Sequence, residues 1–163
     1  MVFIEEKVTP SGIYYYHSRN FKLNNKTKKI SKYVGKNKNT AQSFEEIQAS
    51  IIHLSNLESS ILLEEYELDA ITFSKTIIKK VLSNSLFFSQ IQSYDKNFKK
   101  KFIFLFNLYF IYNSNSIEGS KISFGEVEKL ISNKKSVHTN KNEIQEVRNS
   151  ILCWESVSYT HLR

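Results

Sequence analysis

Ser114 and Glu118 stand four residues apart in the stretch NSNSIEG, residues 113–119, and Gly119 follows at once. On a helix this spacing stacks the hydroxyl and the carboxylate on one face, and Ile117 is predicted to turn toward the core. Glycine at this point lets the helix end sharply or leaves room for another group to approach. A glutamate near a helix C-terminus runs against the helix dipole, so a basic partner is expected beside it. A solvated glutamate next to an ordinary helix cap explains the same residues.

The second chemical feature is charge. Residues 1–40 hold nine Lys or Arg against Glu5 and Glu6, whereas residues 41–163 hold fourteen basic and fourteen acidic side chains. The formal charge of +7 therefore belongs to the N-terminal segment. Lys26, Lys28, Lys29 and Lys32 form its candidate basic patch, suited to nucleic acid or an acidic protein partner; solvated lysines on a small sheet give the same pattern.

Other chemistry finds little support. His17, His53, His138 and His161 are scattered, and no Walker sequence, H-E-x-x-H motif or compact carboxylate cluster is present. Cys153 is the single cysteine, which excludes a disulfide or a thiolate metal site within the chain and agrees with a reducing, cytoplasmic setting. Residues Met1 to Lys7 include Glu5 and Glu6 and lack the apolar core of a secretory signal. The greasiest run, Phe102 to Tyr112, has eleven residues, against roughly 20 for a membrane-spanning helix. No catalytic residue, metal site or membrane partner is expected.

These side chains must be positioned by a small sheet and a set of helices. MVFIEEKV, IYYYHSRNF and ISKYVGK read as three short antiparallel strands. TPSG and Asn24–Lys26 supply the turns between them, and Gly12 and Gly35 can take backbone angles that side chains penalise. Such a meander needs helices or a partner to pack on.

After Gly35–Gln42 the period becomes helical. Ser43 and Glu46 have capping-box spacing, and Ile47, Ile51, Leu54, Leu57 and Ile61 form one apolar stripe. A second helix is predicted over Thr72–Leu82 with Phe73, Ile77, Ile78 and Val81 inward, weakened at Ser83–Ser85. Seven acidic residues between Glu45 and Asp69 are followed by seven lysines between Lys75 and Lys101. Ion-paired packing and two solvated faces both account for that reversal. A third helix, from Phe98 or Phe102 through Ile117, is so rich in aromatics that burial on nearly all sides is predicted. Ser123 and Glu126 repeat the capping-box spacing and open a short helix. A polar loop, Ser132 to Asn140, leads to a last helix with Ile144, Val147, Ile151 and Leu152 on one face.

The stretch NSNSIEGSKISFGEVEKLI, Asn113 to Ile131, closely resembles the opening of the Fic (filamentation-induced by cAMP) domain. In that family an inhibitory motif, [ST]-x-x-x-E-[GN], precedes a short helix and the catalytic core. Ser114, Glu118 and Gly119 match it position by position. NEIQEVRNSI, Asn142 to Ile151, is similar to the family's next helix, and YYYHSRNFKLNNKTKKISKYVGK is similar to a strand-rich module that precedes many Fic domains.

The resemblance implies an α+β chain: a small N-terminal three-stranded antiparallel sheet followed by a mainly α-helical, truncated Fic-type domain. The expected segments are a basic β module over 1–38, a helical connector over 43–95, and the start of the Fic-type domain over 96–156. Residues 157–163, VSYTHLR, resemble a translated sequencing adapter and are expected to be a non-native tail.

Fic enzymes transfer AMP from ATP to a protein hydroxyl with the help of Mg2+. The resemblance gives Glu118 the role of pairing with a catalytic-loop arginine and blocking the γ-phosphate, with Ser114 orienting it. The catalytic motif itself, H-x-F-x-[DE]-G-N-G-R-x-x-R, does not occur in this chain. The chain is thus expected to be inactive alone and to hold neither ATP nor Mg2+. Its partners by this reading are a target protein and, through uncovered apolar helix faces, a second copy. The alternative reading is a non-enzymatic binding module whose basic β unit engages nucleic acid or an acidic protein.

Overall fold

Turn chemistry sets the N-terminal sheet. In the computed structural model, which describes residues 1–65, 74–136 and 140–161, β1 (Val2–Thr9), β2 (Gly12–Leu23) and β3 (Lys26–Gly35) form an antiparallel sheet in chain order. Thr9 pairs with Gly12 across a two-residue turn at Pro10–Ser11. Asn24 and Asn25 both have positive φ, 48° and 61°, the pair of angles a two-residue hairpin turn of matching twist requires. Asparagine tolerates them because its short side chain costs little there.

The sheet is followed by a helical region: α1 (Lys38–Ala41), α2 (Phe44–Glu65), α3 (Lys75–Ser93), α4 (Lys96–Ile117), α5 (Phe124–Ile131) and α6 (Lys141–His161). The chain divides into two compact units, Met1–Lys99 and Lys100–Arg163. Thr72, Phe73 and His138, which entered the sequence reading, lie outside the described residues.

In the first unit one face of the sheet packs on α1 and α2 through polar anchors. His17, fully buried, donates from Nε2 to the Ala41 carbonyl at 2.7 Å, since a carbonyl can only accept. Arg19 forks onto Glu58, with Nε 2.8 Å from one carboxylate oxygen and Nη2 3.2 Å from the other. Lys32 Nζ reaches Glu46 at 2.7 Å, and Asn24 at the hairpin tip donates to Glu65. Three acidic residues of α2 therefore find their partners in the sheet and its hairpin. Arg19 and Glu58 are nearly inaccessible, and removing one partner of such a pair typically costs about 3–5 kcal/mol.

Ser43 caps α2 by accepting from the Glu46 N–H at 3.3 Å, but the capping box is one-sided. The Glu46 carboxylate turns to Lys32, and the Ser43 N–H is satisfied by the Thr40 carbonyl. Within the apolar stripe Ile47, Ile51 and Leu54 are buried, whereas Leu57 is exposed and Glu58 occupies the inward position beside it.

The second helix differs from the expectation in both start and facing. Ser74 caps α3, the helix runs through Ser83–Ser85 to Ser93, and Ile77 and Val81 face solvent. Its inward side is Ser83, Gln90 and Ile91. Gln90 donates to Ser55 Oγ at 2.7 Å and Ser83 donates to Asn56. Small hydroxyl residues on α2 and α3 thus take positions where a hydropathy pattern expects aliphatic ones.

In the second unit Leu108 and Ile111 of α4 meet Ile122, Val127 and Leu130 around α5, and Val147 of α6. Ser123 caps α5 by accepting from the Glu126 N–H, while the buried Glu126 carboxylate accepts from Lys129 and Ser136, each at 2.6 Å. α4 is not buried on all sides: Phe106, Tyr109 and Phe110 are exposed. Leu152 also leaves the predicted face of α6, which buries Val147 and half-buries Ile144 and Ile151. The helix itself continues through His161.

Candidate functional site

The end of α4 is built by its own backbone. The Gly119 N–H donates to the Ser116 carbonyl at 3.1 Å and the Ser120 N–H to the Asn115 carbonyl at 3.0 Å, with Gly119 at φ +94°. This is a Schellman motif, which satisfies the last carbonyls of a helix and calls for a residue without a Cβ penalty at the glycine position. Glu118 is therefore the capping residue just after Ile117, one turn after Ser114, whose carbonyl accepts the Glu118 N–H at 3.3 Å.

Ser114 and Glu118 line the same cleft, about 540 Å³ in volume, between the end of α4 and the middle of α6. Glu146 and Asn149 face them from α6, and Phe110 and Trp154 supply an aromatic wall with ring centroids 5.5 Å apart. The Glu118 carboxylate is exposed and makes no ion pair or hydrogen bond among the described residues. The Ser114 hydroxyl makes no hydrogen bond to it. The cleft thus presents a carboxylate aimed at solvent, a second carboxylate opposite and aromatic surface, a combination that suits a cationic group.

Ile117 does not turn inward. It is 88% exposed, because the inward stripe of α4 runs Leu108, Ile111, Asn115 and two further residues rotate a side chain to the opposite face. Asn115, buried, occupies the core position instead, donating to the Ile111 carbonyl at 2.8 Å and to Ser150 Oγ on α6 at 3.4 Å. Its spacing of four from Ile111 was the signal available in the sequence.

The four candidate lysines do not form one surface. Strand alternation places Lys26, Lys28 and Lys32 on one face of β3 and Lys29 on the other. Lys29 is paired with Glu5 at 2.6 Å and Lys32 with Glu46 at 2.7 Å, which leaves Lys26 and Lys28, both exposed, at the hairpin end.

Among the described residues no group of three or more His, Cys, Asp or Glu could hold a metal ion. Among the described residues no helix is long and apolar enough to cross a membrane. No family model, curated protein or solved structure matches this chain.

Proposed function

We propose that the chain carries the autoinhibitory segment of a Fic-type protein adenylyltransferase and supplies no catalytic loop of its own. The observation that carries this reading is the Ser114–Glu118–Gly119 pattern, with Glu118 unpaired among the described residues at the mouth of a cleft it shares with Ser114. A guanidinium entering there would be held by the Glu118 carboxylate through a charge-assisted fork. An arginine so occupied is withdrawn from phosphate binding, and the carboxylate repels the γ-phosphate in its place. AMP transfer from ATP to a protein hydroxyl belongs, on this reading, to a glycine- and arginine-rich loop outside this sequence.

The test joins this chain to a Fic catalytic segment and follows incorporation of labelled AMP into protein. Glu118→Gly is expected to raise incorporation roughly tenfold or more, the equivalent of one charge-assisted pair. Unchanged incorporation would remove the regulatory role from Glu118. The present chain alone should incorporate none.

A further inference from the structure

The sheet has a second face, and it carries different chemistry from the one packed on α1 and α2. Alternation puts His17, Arg19 and Phe21 inward and Tyr14, Tyr16 and Ser18 outward. Tyr16 lies opposite Tyr33 of β3 in the register, and the Tyr33 ring lies 5.3 Å from that of Tyr16 and 6.1 Å from that of Tyr14. Tyr33 is 51% exposed. Two cations already sit on these rings: Lys7 Nζ is 4.4 Å from the Tyr16 centroid and Lys36 Nζ 4.9 Å from the Tyr14 centroid. Glu5, the acidic residue of the same face, is neutralised by Lys29.

We propose that this tyrosine face is a platform for single-stranded nucleic acid, with a base stacked on Tyr33 and its neighbouring phosphates held by Lys7 and Lys36. One feature favours that occupant over an acidic peptide, and two more equip the face for a polyanion. A row of tyrosines offers π-faces, which every base can use and a carboxylate cannot. The lysines, over Tyr16 and Tyr14, are beside Tyr33 without being committed to a carboxylate, so each can leave its ring for a phosphate of a strand whose base stacks on Tyr33. The N-terminal segment carries a surplus of seven positive charges, the long-range attraction a polyanion needs. A duplex keeps its bases stacked inside and cannot use the rings.

The test is fluorescence anisotropy of the whole chain with labelled twelve-nucleotide U and dT oligomers. Salt-dependent binding of either is expected, with the matching duplex at least about tenfold weaker. Tyr33→Leu should weaken binding about tenfold with the salt slope unchanged, and Tyr33→Phe should restore it. Lys7→Gln with Lys36→Gln should reduce the slope by about 0.7 per lysine. Circular dichroism of each variant checks that the sheet is intact. The proposal is overturned by no binding at low salt, by equal binding of duplex, or by intact Tyr33→Leu protein that binds as before. Displacement by polyglutamate as effective as by the oligomer would overturn it too, in favour of an acidic partner.

Discussion

His17 shows what a single buried ring can impose. Its Nε2 hydrogen is spent on the Ala41 carbonyl, and Nδ1 is buried without a hydrogen-bond partner. Protonation would add a hydrogen to Nδ1 in that closed space, so burial pushes the pKa below the ordinary 6.5 despite the Ala41 carbonyl and Glu46 pulling it up. The unfolded chain takes up that proton as pH falls through 6.5 and the folded chain does not, so acidification favours unfolding. Folding stability should fall by up to about 1.4 kcal/mol per pH unit below 6.5 until the folded ring titrates. Glu5 and Glu46, drawn below 4.5 by Lys29 and Lys32, titrate under that window. Urea midpoints of wild type and His17→Gln decide the matter: the variant, which can still donate to Ala41, should lose this slope, and an unchanged slope would assign it elsewhere.

At the scale of elements, the Schellman turn separates two roles that the sequence pattern merges. A Cβ on Gly119 would meet nothing within 4 Å, so Gly119→Ala is penalised by backbone conformation alone, about 1–2 kcal/mol. Denaturation followed through Trp154 should read that loss, and a loss near zero would mean the turn adapts. Strands, hairpin turns and the helix starts at Ser43 and Ser123 were legible because each depends on residues within a few positions. The facing of α3 was not: Ile77 and Val81 have a helical period, but periodicity does not say which side has a neighbour. Its true contact, Ser83 and Gln90 against Ser55 and Asn56, is polar and long-range. For the candidate site, the shared face of Ser114 and Glu118 followed from a spacing of four, whereas the opposing wall from α6 depends on tertiary pairing. The split of Lys29 from Lys26, Lys28 and Lys32 was available from strand alternation.

For the molecule as a whole, each of the two units has buried residues of its own, and the second has its own reporter. Trp154 is the chain's single tryptophan, and its ring packs on Phe106 and Phe110 in the second unit. Leu108→Ala opens the core of that unit at a residue 1% exposed. It should cost about 2–5 kcal/mol in the urea transition followed by Trp154 emission; a shift under 1 kcal/mol would show that the site collapses around the smaller side chain. The charge does not follow that division: the basic surplus lies in the first forty residues, and residues 41–163 are balanced. Salt should therefore act mainly on encounters made by the sheet. The cleft beside Glu118 has one more property. Cys153, exposed and without another thiol in the chain, lines its wall. A maleimide or a spin label placed on it reports from one known address, so alkylation slowed by an added peptide, or spectral broadening, would register occupancy of that cleft without any substitution in the protein.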